Sequence, residues 1–181
     1  MMHTEIRVLE RIGLLLAYPR GDYGDRLELC RTALPLGNVE ADALVGSFVR
    51  QIQSLPLEKV QELYTHTFEL NPVCALEVGW QLHGEEYGRG EFLVAMRKQL
   101  RRHGIPESRE LPDHLSNVLS LLDRMEPEEA RNLTEAFLLP ALNKMLTGFP
   151  DQNNPYRNVL LAIAKLLSSD PREGLAEAPR V

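Results

Sequence analysis

Two cysteines, Cys30 and Cys74, are all that 181 residues contain. They stand far apart and form no CxxC pair, so a disulfide framework has no support and a thiolate metal site would be incomplete. Each is expected to serve as a small apolar residue of the core. No apolar run approaches the roughly 20 residues that a membrane-spanning helix needs. The segment from Met1 to Pro19 is interrupted at helical intervals by Glu5, Arg7, Glu10 and Arg11. No small-residue cleavage site follows it, so an amphipathic first helix is expected rather than a signal peptide, and with it a cytoplasmic protein. A basic excess is missing too: 20 Lys and Arg stand against 26 Asp and Glu, a formal charge of −6. That disfavours nucleic acid as a partner. No GxSxG, HExxH or CxxC motif occurs, and Gly88-Arg89-Gly90 is too short to cradle a phosphate.

What the chain does contain is helical periodicity almost throughout. Ile6, Leu9, Ile12, Gly13 and Leu16 share a face, closed by Tyr18-Pro19-Arg20-Gly21. Tyr23 to Leu34 and Ala41 to Gln53 follow, the latter with Leu44, Phe48 and Ile52 at every fourth residue. Pro56 suits the first position of a fourth helix, whose stripe is Leu57, Val60, Leu63, Tyr64 and Phe68. Asn71-Pro72 ends it. Val73 to Leu82 is expected to be helical, then Glu91 to His103 with Gly104 as its stop. Pro112 opens the next helix and Pro127 another, in which Pro140 should force a kink. A loop is expected over Lys144 to Asn154, then a last helix from Pro155. No alternation long enough for a strand appears. The expectation is an all-α, single-domain bundle of roughly eight or nine helices over residues 1–168, with a flexible tail over 169–181.

Asp113 and His114 are the first candidate residues for function. At the second helical position, Asp113 would face the unsatisfied N–H groups of that helix and its dipole. His66 with Glu69, and His83 with Glu86, repeat a three-residue spacing. Di-metal bundles use the opposite order, Glu-x-x-His, so neither a metal nor another cofactor is expected. Arg97, Lys98, Arg101, Arg102 and His103 suit a helix C-terminus. Trp80, Tyr64, Phe68, Tyr87 and Phe92 fit either a core or a groove that receives an apolar peptide face.

The order Tyr64…Phe68-Glu69, then His83-Gly84-Glu85, then Arg89-Gly90, then Glu110-Leu111-Pro112-Asp113-His114-Leu115 resembles the NarJ branch of the TorD/DmsD/NarJ family, the dedicated chaperones of molybdenum enzymes. The likeness runs from about Leu63 to Leu122, with a weaker match at Leu14 to Pro19. It implies an all-helical chaperone without catalytic activity, one that serves nitrate respiration. Its partner would be the apo catalytic subunit of a nitrate-reductase-like molybdoenzyme, gripped by its N-terminal segment, together with the cofactor-insertion machinery. No stable membrane insertion is implied. The family's Pro-Asp-His element falls on Pro112, Asp113 and His114. Tyr64, Phe68, Glu69, Trp80, Glu85 and Arg89 complete the candidate peptide-binding set. Two alternatives stay open: an accessory subunit retained in the mature complex, and an enzyme with an unrecognised site.

Overall fold

A computed structural model describes residues 7–168. Its α-helical segments are α1 (Val8–Leu14), α2 (Tyr23–Thr32), α3 (Val39–Ile52), α4 (Leu57–Tyr64), α5 (Val78–His83), α6 (Tyr87–Arg102), α7 (Leu115–Leu122), α8 (Pro127–Leu133), α9 (Leu139–Thr147) and α10 (Pro155–Ser168). A π turn, Thr65–Glu69, continues α4, and a second, Thr134–Leu138, joins α8 to α9 in one rod. Counting that rod once, nine helices form a single all-α bundle among the described residues. No strand occurs among them, and the sole β feature is an isolated antiparallel bridge between Glu77 and His114.

Most helices begin and end for legible reasons. Asn38 accepts the Ala41 N–H with its side chain and caps α3. Pro127 occupies the first turn of α8, where its missing N–H would have no partner, and Glu128 and Glu129 meet the positive end of the dipole. Gly104 follows α6 at φ +67°, the left-handed conformation that glycine tolerates best. Pro140 lies just past the second π turn. Proline removes an N–H and crowds the preceding turn, and the wider π winding relieves both constraints.

The core is continuous. Ile12, Leu15, Leu16, Phe48, Leu115, Leu119, Leu121, Leu142 and Tyr156 are all fully buried. Helix α10 packs most extensively on α3, and α1 on α7. Gly13 lets α1 approach closely: a Cβ there would lie 3.1 Å from the Ser116 carbonyl oxygen. The carbonyls that α1 leaves open at its end are taken by side chains. Tyr23 Oη donates to Leu15 O and Tyr64 Oη to Leu16 O, both at 2.8 Å, and Gln61 Nε2 donates to Pro19 O at 2.9 Å. Both cysteines are buried, as their sequence context implied.

Four sequence expectations need correction. Pro56 caps α4 in an extended conformation (φ −65°, ψ 152°) instead of entering it. Leu44 is only partly buried, and the core face of α3 is Ala41, Val45, Phe48, Val49 and Ile52. Val73 to Leu82 is not one helix. A 3₁₀ turn (Pro72–Cys74) gives way to extended backbone before α5 begins at Val78. Lys144 to Thr147 belong to α9, so the loop before α10 is shorter than expected. The contribution of Ile6 and the proposed tail over 169–181 lie outside the described residues.

Substituting Gly13→Val should cost about 1–3 kcal/mol by overpacking the α1–α7 contact. Urea denaturation followed by far-UV circular dichroism measures that loss.

Candidate partner-binding site

The extended stretch before α5 runs antiparallel to the start of α7, and the two helix beginnings are tied together. Leu115 N–H donates to Leu76 O and Val78 N–H to Asp113 O, each at 2.9 Å. Gly79 N–H donates to Asp113 Oδ2, also at 2.9 Å. Asp113 therefore satisfies two of the open N–H groups of α5. This corrects the sequence expectation. Asp113 does not enter α7 or face that helix's own N–H groups, because α7 starts only at Leu115. Position 79 must be glycine for the tie to close: a Cβ there would lie 2.7 Å from Asp113 Oδ2 and 2.9 Å from the Phe92 ring.

Asp113 is fully buried, and its Oδ1 has no hydrogen-bond partner among the described residues. Burial raises its pKa above the ordinary carboxyl value, against the opposing pull of the Gly79 N–H and the Arg89 charge. His114 caps α7. Its Nδ1 accepts the Ser116 N–H at 3.2 Å and lies 2.7 Å from Ser116 Oγ. An Nδ1 that accepts must carry a lone pair, so the ring proton sits on Nε2. Burial pushes the His114 pKa down to about 4, and the nearby Glu77 carboxylate opposes this only in part.

Beside this tie opens a pocket of about 300 Å³, lined by Tyr64, Phe68, Glu69, Pro72, Ala75, Leu76, Glu77, Trp80, Arg89, Glu110 and His114. The aromatic wall comes from α4 and its π turn. Tyr64 and Phe68 meet edge to face with ring centroids 5.1 Å apart, and both abut Tyr156. Burial drives the Tyr64 phenol far above its ordinary pKa, and Glu110, Glu69 and Glu77 reinforce this with their charges. Trp80 is held by an Nε1–H bond to Pro72 O at 2.9 Å. The Arg89 guanidinium lies over the Trp80 ring, 5.2 Å from its centroid. Glu69 accepts the Thr65 hydroxyl at 2.7 Å, and Glu110 accepts the Tyr18 N–H at 3.4 Å.

The structure brings six of the sequence candidates together here: Tyr64, Phe68, Glu69, Trp80, Arg89 and His114. Asp113 lies beneath them and Pro112 is buried beside the tie. Glu85 is exposed outside the lining. Phe92 is buried against Phe137, while Tyr87 is 85% exposed, so neither belongs to the wall. Glu77 and Glu110 were missed. Glu110 heads the same Glu-Leu-Pro-Asp-His run and could have been included on that ground. Glu77 carries no such signal, since its place depends on the break before α5. The basic run of α6 is largely engaged: Arg97 and Arg101 pair with Glu107, and Arg102 with Glu129. Among the described residues, no group of three or more His, Cys, Asp or Glu could hold a metal ion, and no helix is long and apolar enough to cross a membrane.

Fold and pocket together define a helical bundle with an open, acidic and aromatic recess. The family model described as "Nitrate reductase delta subunit" matches residues 35–162, and the chain belongs to that family. It is 30% identical over 124 residues to the nitrate reductase molybdenum cofactor assembly chaperone NarJ of Escherichia coli K12, an alignment covering 66% of this chain and 52% of that protein. It is 26% identical over 129 residues to the probable nitrate reductase molybdenum cofactor assembly chaperone NarJ of Bacillus subtilis, covering 70% of each. The chain thus spans about half the length of the Escherichia coli relative it matches.

The tie has a pH signature. His114 holds its proton more weakly folded than unfolded, so its stabilising contribution is complete above the unfolded value of 6.5 and is lost as pH falls through about 4. Asp113 acts oppositely: its contribution is complete below the unfolded value of 3.8 and is lost as pH rises through its raised folded pKa. Urea midpoints across pH 4–7 should therefore fall less toward acid in His114→Asn, which keeps a cap but cannot titrate. At pH 7, Asp113→Ala should lose about 1 kcal/mol with the cap, and Asp113→Asn, which keeps an oxygen for Gly79, should lose less.

Proposed function

We propose that this protein is a chaperone for a nitrate-reductase-like molybdoenzyme. It holds the N-terminal segment of the apo catalytic subunit while the molybdenum cofactor is inserted and the complex assembles. The segment is basic and partly apolar. The pocket bounded by Tyr64, Phe68, Trp80, Glu69, Glu77 and Glu110 carries this reading, because it joins an aromatic wall to acidic groups. Apolar side chains of the segment would cover the rings, and its cations would meet the carboxylates. Both compared relatives are named as assembly chaperones, which supports a role in binding over one in catalysis. Release after cofactor insertion needs only modest affinity.

The pocket continues past Trp80 and Pro72 into a shallower recess lined by Val73, Leu82, His83 and Lys144. A segment longer than one helical turn would reach both. Asp113 acts from below by fixing Glu77 and His114, without touching the segment.

Calorimetric titration with a peptide covering the first fifteen or so residues of the catalytic subunit from the same organism tests this. One-to-one binding is expected, weakened about tenfold or more when Glu77 and Glu110 are both changed to Gln, as loss of charge-assisted bonds implies. Wild-type binding that survives the double change places the segment elsewhere. Recovery of this protein as a stoichiometric part of the mature, active complex would favour the accessory-subunit alternative.

A further inference from the structure

Arg89 is poorly placed by every ordinary criterion. It stands in the first turn of α6, where the positive end of the helix dipole disfavours a cation. Three glutamates, Glu69, Glu77 and Glu110, line the same pocket, yet among the described residues Arg89 forms no ion pair with any of them. Its Nε is buried without a hydrogen-bond partner. What holds the guanidinium is the face of Trp80, with the charge of Asp113 below. A half-buried guanidinium left so unsatisfied costs free energy that a better arrangement would recover. Nothing lies within 4 Å of where a side chain would start at the adjoining Gly90, so there is open space beside the Arg89 stem.

His114 gives a second, independent sign of an unfilled site. The residue is only 2% exposed and its ring lines the pocket. Nδ1 is engaged by Ser116, which leaves the Nε2–H donor without a partner among the described residues. The pocket therefore offers carboxylates for a cation, an indole face on which a planar cation already rests, and a free donor for a carbonyl.

We infer that the pocket is a guanidinium subsite and that Arg89 is its intramolecular occupant, displaced when an arginine of the bound segment takes the Trp80 face between Glu69, Glu77 and Glu110. This rests on the reading of the pocket as the partner-binding site. It adds the side chain recognised and a residue that competes for it. The arginine peptide group also supplies a carbonyl for His114 Nε2–H, which a bare amine would not. Arg89 makes binding weaker than the pocket alone would allow. It also selects against segments whose single cation cannot displace it, and on release it refills the site.

Trp80 is the one tryptophan of the chain, so intrinsic fluorescence reports on this wall alone. The probes are acetyl-arginine amide, acetyl-lysine amide and the uncharged isostere acetyl-citrulline amide. Arg89→Gln should bind acetyl-arginine amide about five-fold more tightly than the wild type does, the equivalent of one part-exposed cation–π contact. Arg89→Lys, which keeps the charge, should stay near the wild type. Acetyl-lysine amide should bind more weakly, and acetyl-citrulline amide should give no saturable response. If Arg89→Gln misfolds by circular dichroism, Arg89→Met must show the same gain. No tightening in either neutral variant, or equal binding of citrulline and arginine, overturns the inference. Arginine-selective tightening without any binding of the catalytic-subunit peptide would overturn the proposed function and leave this subsite standing.

Discussion

Two helices begin facing each other, and one buried carboxylate closes the gap between them. Asp113 gives its carbonyl to Val78 and its side chain to Gly79, while Leu76 returns a carbonyl to Leu115. Helix starts carry unsatisfied N–H groups and a positive dipole end, so bringing two of them together is unfavourable unless acceptors lie between them. Asp113 supplies those acceptors from the chain of one helix to the other. Glu77 and His114, the bridged pair, then form part of the pocket lining. Weakening the tie would splay α5 from α7 and separate the pocket's acidic and aromatic halves.

Tyr64 couples the pocket to the opposite side of the bundle. Its ring is wall, but its hydroxyl satisfies Leu16 at the end of α1. Beneath it, Tyr23 and Tyr156 lie with hydroxyl oxygens 3.2 Å apart, and Tyr156 is fully buried. Removing the Tyr64 ring would leave a buried carbonyl unpaired, at a cost comparable to the loss of wall itself. Removing the hydroxyl alone separates the two roles. The Leu14–Pro19 segment, remote in sequence from the rest of the motif, is thus physically part of the site's support.

Helices long enough to show two turns of periodicity were legible in the sequence. The stripes of α4, α6 and α10 needed nothing beyond residue spacing and their flanking Pro and Gly. The six-residue α5 was not, because so short a helix shows no repeat, and the run Val73 to Leu82 mimics one continuous helix. What breaks that run is the bridge to His114, a partner 37 positions away in the chain. The role of Asp113 was misassigned for the same reason. A Pro-Asp sequence says that an acid stands near a helix start, and says nothing about whose start. Glu69 and Trp80 could be named from local pattern, whereas Glu77 became part of the site only through that long-range bridge.

The π turn at Thr65–Glu69 carries a consequence of a different kind. Leu70 N–H reaches back five residues to Thr65 O, so this stretch accommodates one residue more than regular α winding would. Deleting any single residue there would restore the tighter helix and turn everything after it by about 100° about the axis. Phe68 and Glu69 would leave the pocket with every side chain still present in the sequence. At this point the register of the chain, counted in residues, shapes the recess as firmly as the identity of the side chains that line it.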